Sequence, residues 1–216
     1  MHSIVGRDLP IAFVVKRNSR DAAADPPGSA SATGQTVAEP TFEPSFDSRS
    51  GFDDVRHALS GQLERELDSL LLSRTSLDRL LNALLVRAPQ RRTSLGLVAV
   101  ELDDWKTQSE RLDAQSARAA FAQLARELRQ RVRSSDELGR LGESSIAIVL
   151  LGCEAHVLAS VAERLRLALD GKPLVPTSDA LRASLSVTVV PAYPRAGGPS
   201  GAALLAELSG ALERRC

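Results

Sequence analysis

Residues 95–102, Leu-Gly-Leu-Val-Ala-Val-Glu-Leu, are apolar at almost every position over a length that suits one strand. A run so short and so rich in branched side chains reads as a buried strand, and the chain must build a core around it. A second run of the same kind, 146–151, follows the segment Gly142-Glu143-Ser144-Ser145, which reads as a hairpin turn after a strand over 137–141.

Between and around these strands the apolar spacing changes to three and four. Ala117, Ala120, Phe121, Leu124, Leu128 and Val132 form one helical stripe, with Asp113 placed to cap its start. Leu158, Val161, Leu165 and Ala168 or Leu169 form another. Residues 184–190 give a further strand and 202–215 a last helix. From residue 95 onward the order is strand, helix, strand, strand, helix, strand, helix. That order predicts an α+β fold of the ferredoxin-like or palm kind, an antiparallel sheet with helices packed on one face.

Ahead of the first strand, Val55, Leu59, Leu63, Leu67, Leu70 and Leu71 recur at helical spacing, as do Leu77, Leu80, Leu81, Leu84 and Leu85. Two helices are therefore expected over 52–85. Residues 18–50 hold Asp25-Pro26-Pro27-Gly28 and Glu39-Pro40 with few large apolar side chains, too few to offset the entropy of ordering. The expected division is a flexible tail over 1–50 and one domain over 51–216, leading helix included. Residues 4–15 are apolar enough to dock as a strand, but a fraying terminus is the expectation.

Twenty-seven basic residues balance 27 acidic ones, which removes any chain-wide electrostatic reason to expect binding to DNA or a membrane surface. A nucleotide partner would have to be held locally. The apolar stretch 11–15 is too short to span a bilayer, and its charges follow it, unlike those of a secretory signal. Cys153 and Cys216 form no disulfide framework, so a reducing cytoplasm is expected. His2, His57 and His156 lack ligand spacing, and Glu101, Asp103 and Asp104 sit at a single strand end, so no metal site is predicted.

Within this palm order two segments resemble landmarks of the GGDEF family, the diguanylate cyclases. Leu97 through Lys106, ending Glu101-Leu102-Asp103-Asp104-Trp105-Lys106, is similar to the family's first strand and its DIDxFK end. Ser135-Asp136-Glu137-Leu138-Gly139-Arg140-Leu141-Gly142-Glu143-Ser144-Ser145-Ile146 is similar to xDxxxRxGGDEF. Leu71-Leu72-Ser73-Arg74 is a worn GLxNR, and Ser186-Val187-Thr188 loosely matches SIG. The likeness runs from about Leu63 onward, carried by the order and spacing of the pieces.

The resemblance implies that catalysis is lost. A cyclase needs carboxylates for two metal ions that activate a ribose hydroxyl and stabilise pyrophosphate. Here Glu101 keeps an acid at the strand end, but the signature turn reads Gly142-Glu143-Ser144-Ser145, with serine at both acidic positions and a charged side chain where the second glycine belongs. The guanine-reading asparagine and aspartate fall on Ser109 and Arg118. The C-terminal stretch reads Leu208-Ser209-Gly210-Ala211-Leu212-Glu213-Arg214-Arg215, without the phosphate-gripping lysine and arginine.

The family's inhibitory product site is implied to remain. Its RxxD motif is separated by five residues from the first glycine of the turn, an offset that Arg133-Ser134-Ser135-Asp136 and Gly142 satisfy. Arg133 would hold phosphate or a guanine Hoogsteen edge, and Asp136 would accept from guanine N1–H and the exocyclic amine. Arg164 matches an arginine added from the following helix, and Arg87 one supplied by a neighbouring subunit. The plain alternative is that Arg133 favours a helix C-terminus and pairs with Asp136 in a loop; Arg65-Glu66-Leu67-Asp68 shows that RxxD also arises by chance.

Two functions follow. One is a cyclic di-GMP receptor without enzymatic activity or cofactor, open to homodimerisation, that relays the signal to a protein partner. The other is an interaction scaffold that binds no nucleotide.

Overall fold

In chain order the elements are β1 (Phe13–Val15), α1 (Ser48–Leu59), α2 (Arg74–Arg87), β2 (Leu95–Leu102), α3 (Trp105–Ser109), α4 (Ala114–Arg129), β3 (Glu137–Arg140), β4 (Ser145–Leu151), α5 (Ala155–Leu169), β5 (Leu185–Ala192) and α6 (Gly201–Glu213). They are seen in a computed structural model that describes residues 13–15, 48–88, 94–174, 182–192 and 198–214. The strands form one antiparallel sheet in the order β1-β5-β2-β4-β3, an α+β palm with β2 at its centre.

Successive side chains of β2 point to opposite faces, and both sets are apolar. Val98, Val100 and Leu102 enter one core with Phe121, Leu124 and Leu128 of α4 and Leu158, Leu165 and Leu169 of α5. Leu95, Leu97 and Ala99 enter a second core with Leu77, Leu81 and Leu84 of α2 and Leu204, Leu205 and Leu208 of α6. The helices therefore cover both faces of the sheet, where the palm order alone predicts one. Continuous apolar runs such as 95–102 are what a sheet covered on both sides requires.

Gly96 and Gly139 permit this close packing. A Cβ at Gly96 would lie 2.2 Å from Leu158 Cδ2, and one at Gly139 2.9 Å from both Leu77 methyls. Asp113 caps α4 as expected, accepting from the backbone N–H of Gln115 at 2.9 Å and of Ser116 at 2.8 Å.

Three further features differ from the sequence reading. Phe13–Val15 is not a frayed end but strand β1, paired with β5 from Phe13 opposite Val189 to Val15 opposite Val187. The leading helix starts at Ser48 and stops at Leu59, so residues 60–73 are not helical. Gly61 and the turns Ser60 N–H to His57 O and Gln62 N–H to Leu59 O end it. Beyond it Leu67 is 95% exposed and Leu70 69%, with Leu70 at φ 58°, while Leu71 and Leu72 enter opposite cores. Leu72 also donates to Leu138 O at 3.0 Å and accepts from Arg140 N at 2.8 Å, which covers the outer edge of β3. The third difference is the short helix α3, which has no apolar periodicity to announce it. The remainder of the expected tail, 1–12 and 16–47, and Arg215 and Cys216 lie outside the described residues. Among the described residues no helix is long and apolar enough to cross a membrane.

Candidate functional site

Helix α4 runs into a turn, 130–136, that leads to β3 at one end of the sheet. Asp136 organises that turn: Oδ2 accepts from Arg133 N at 2.9 Å and Oδ1 from Leu151 N at 3.3 Å, which ties the turn to the end of β4. Arg129 donates from Nη1 to Asp136 O at 2.7 Å and also reaches Arg133 O. Asp136 is 3% exposed. Burial pushes its carboxyl above the ordinary range, against the backbone N–H groups of Arg133 and Leu151 and the charges of Arg133 and Arg129.

At Leu151 the chain leaves β4 through Gly152, whose φ of 64° turns it into α5. The helix then presents Val157, Val161 and Arg164 on one face, at spacings of four and three. Together these pieces enclose a cavity of about 490 Å³ lined by Arg133, Asp136, Cys153, Glu154, His156 and Arg164, among others. Arg133, Asp136 and Arg164 thus come together, with both arginines exposed. Arg87, exposed at the C-terminal end of α2, is not part of this cavity. The Cys153 thiol is pushed up to about 11 by burial and then by the Asp136 charge, with Arg133 and Arg164 pulling the other way, so the charged groups surround it. Cys153, Glu154 and His156 were not expected here. Only the turn at Gly152 carries them into the cavity, and His156 Nδ1 then lies 3.3 Å from Glu154 Oε2.

The resemblance puts the catalytic turn at the opposite end of β4. Leu141 N and Gly142 N both donate to Ser145 O, at 3.0 and 3.2 Å, and Ser144 Oγ donates to Glu101 Oε1 at 3.1 Å. Asp103 Oδ2 accepts from Ser184 Oγ at 2.9 Å. Glu101 and Asp103 are thus each engaged by a serine hydroxyl, and serines replace the carboxylates of the turn, a donor set poorer than the several carboxylate and phosphate oxygens that magnesium prefers. Among the described residues no group of three or more His, Cys, Asp or Glu side chains could hold a metal ion. Glu143 stands exposed at the rim of a cleft of about 350 Å³ that also contains Ser109, Trp105, Arg118 and Phe121. Arg118 donates to Ala114 O on its own helix at 3.1 Å and brings a cation to this cleft. Glu66 and Arg140, which sequence reasoning missed, pair across this cleft.

The fold has known counterparts. A sensory box/GGDEF family protein from Caulobacter crescentus CB15 is 26% identical with a TM-score of 0.59, over 70% of this chain and 96% of that one. The GGDEF domain of DgcB from Caulobacter crescentus, solved in complex with c-di-GMP, has the same fold at 18% identity and a TM-score of 0.59, over 69% and 88%. The FimX GGDEF domain from Pseudomonas aeruginosa does so at 16% identity and a TM-score of 0.59, over 69% and 89%. In sequence, the uncharacterized protein YhcK of Bacillus subtilis (strain 168) is 28% identical over 93 residues, 43% of this chain but 25% of that protein. The chain thus spans about a quarter of the curated relative it matches. The family model for the diguanylate cyclase GGDEF domain matches residues 67–213, and the chain belongs to the GGDEF family.

Proposed function

We propose that this GGDEF domain is a catalytically inactive receptor that binds cyclic di-GMP at Arg133, Asp136 and Arg164 and relays its presence to a protein partner. The observation that carries the reading is the meeting of these three residues at one cavity of about 490 Å³, a size suited to a small-molecule ligand. Two exposed guanidiniums offer bidentate donors to phosphate and to guanine O6 and N7. The Asp136 carboxylate, which accepts two backbone N–H groups, keeps lone pairs for a guanine N–H. Arg87 would serve from a second copy of the chain. Inactivity is supported by the donor set at Glu101, Ser144 and Ser145 and by Glu143 and Arg118 at the cleft.

Calorimetric titration with cyclic di-GMP tests the receptor. Arg133→Ala and Arg164→Ala should each weaken binding about 10- to 100-fold, the worth of a charge-assisted hydrogen bond. No heat with the wild-type chain, or full affinity in both variants, rules the receptor out. The engagement of both Asp136 oxygens within the fold favours a second reading, a scaffold in which that carboxylate is structural. On that reading Asp136→Ala lowers stability and no nucleotide gives heat.

A further inference from the structure

Glu137 follows Asp136 directly, begins β3 and is 2% exposed. Two guanidiniums meet its carboxylate. Arg65, from the segment after α1, donates from Nη2 to Oε2 at 3.0 Å. Arg56 of α1 brings Nε to 2.6 Å from Oε1, as a close charge contact, because that oxygen accepts no aligned hydrogen bond. Arg56 also donates from Nη1 to Ser134 O at 3.0 Å, in the middle of the ligand-site turn. Three carbonyls of that turn are therefore held by arginines, those of Arg133 and Asp136 by Arg129 and that of Ser134 by a side chain of α1. The Arg129 guanidinium, lowered first by burial, feels Glu137 and Asp136 as attraction and Arg56 and Arg65 as repulsion, so these groups form one cluster.

Along 53–59, the part of α1 whose side chains are described, Val55 is buried and Leu59 partly so, while Asp53, Asp54, His57 and Ala58 are exposed. A stretch with so few buried side chains opens at low cost. Removing it would strip a buried carboxylate of one partner, which is strongly unfavourable, and would release Ser134 O.

We infer that Arg56 is a positioning residue for the cavity and that α1 is its output element: a ligand in the cavity and a docked α1 favour each other. The inference rests on the receptor reading above and names the part of the fold through which that receptor acts. Thermodynamic linkage makes the effect reciprocal, so a partner that lifts α1 loosens the ligand and the ligand tightens α1.

The test uses the full chain with cyclic di-GMP, following amide exchange and calorimetry for wild type, Val55→Ala and Arg56→Ala. The ligand should slow exchange across α1, and both variants should weaken binding about 5-fold or more, although neither residue lines the cavity. A merely local role for Arg56 would leave the affinity of Val55→Ala and the exchange of α1 unmoved. That result, with wild-type binding intact, overturns the coupling and leaves the receptor standing. If the wild type gives no heat, the receptor fails, and the coupling is judged without ligand by iodoacetamide labelling of Cys153 in a Cys216→Ser background. Severalfold faster labelling in both variants then sustains the positioning of the cavity by α1 and Arg56, and unchanged rates overturn it.

Discussion

Arg140, the last residue of β3, pairs with Glu66 in the loop between α1 and α2, its Nη2 2.9 Å from Oε2 and its Nε on Oε1. The same guanidinium lies 4.0 Å from the centroid of the Phe121 ring on α4. One side chain thereby joins the loop, the sheet edge and the helix layer at the mouth of the cleft beside Glu143.

Replacing Glu66 by Gln should expose the worth of this pair. Burial works to raise the Glu66 carboxyl, but hydrogen bonds from Arg140 and Ser69 and the Arg140 charge outweigh it and hold it below its ordinary 4.5. A depressed carboxyl stabilises the fold above its unfolded value, and that contribution is lost as pH falls through the folded one. Glu66 and Arg140 are about a third exposed, so solvent screening keeps the effect near 1 kcal/mol at pH 7. Urea unfolding of Glu66→Gln and wild type should differ by that amount at neutral pH and converge as pH falls through the lowered Glu66 carboxyl. A difference independent of pH would remove the carboxylate from the account.

Incubation with GTP and Mg²⁺ or Mn²⁺ should yield no cyclic dinucleotide. Ser144→Glu combined with Ser145→Glu should stay inactive, because Glu143, Ser109 and Arg118 still oppose triphosphate and guanine at the cleft. Chromatographic detection of product from the wild-type chain overturns the inactive reading.

Cys153 lines the cavity beside Arg133 and Asp136 and so reports on it directly. With its thiol pushed up to about 11, little thiolate is present at pH 8, and a Cys216→Ser chain should react slowly with iodoacetamide. Cyclic di-GMP just sufficient to fill the wild-type cavity should slow it further by covering the cavity wall, whereas Arg133→Ala should lose most of that protection at the same concentration. Protection that persists in the variant would place the ligand elsewhere.

Most of the sheet and its helices was legible because β2, β4 and the stripes of α4 and α5 have short-range patterns of period one, two or 3.6. The leucines at 59, 63, 67, 70 and 71 mimic such a stripe, yet the segment is held by Arg65 on Glu137 and Glu66 on Arg140. Pairings between residues so far apart in the chain leave no local trace. Strand β1 is three residues long, too short to carry a period. The apolar character of both alternating sets in 95–102 already implied cover on both faces, and the palm order obscured it. At the candidate cavity, the offset from Gly142 singled out Arg133 and Asp136 and the family resemblance singled out Arg164, whereas Glu154 and His156 depend on one glycine turn. Arg87 stands apart from that cavity, exposed at the end of α2.

Gly96→Ala should be among the most damaging single-methyl changes in the chain. Gly96 is the second residue of β2, paired with Leu150 on one side and Pro191 on the other, so the backbone has little room to withdraw. The new Cβ would lie 2.2 Å from Leu158 Cδ2 and 3.2 Å from its Cγ, and Leu158 is itself buried in the first turn of α5. Relief requires a new rotamer in a filled core or a shift of α5, a cost of about 1–3 kcal/mol. Because α5 carries Val157, Val161 and Arg164, such a shift should also weaken cyclic di-GMP binding. Gly61→Ala is the control: its Cβ would meet nothing within 4 Å, and the change should stay within about 0.5 kcal/mol. Adding Leu158→Ala to Gly96→Ala removes the clashing methyls, so the double variant should be more stable than the sum of the single losses by about 0.5–3 kcal/mol. Thermal unfolding of the four chains measures this coupling, and strict additivity would show that the Gly96–Leu158 contact is not what confines the strand.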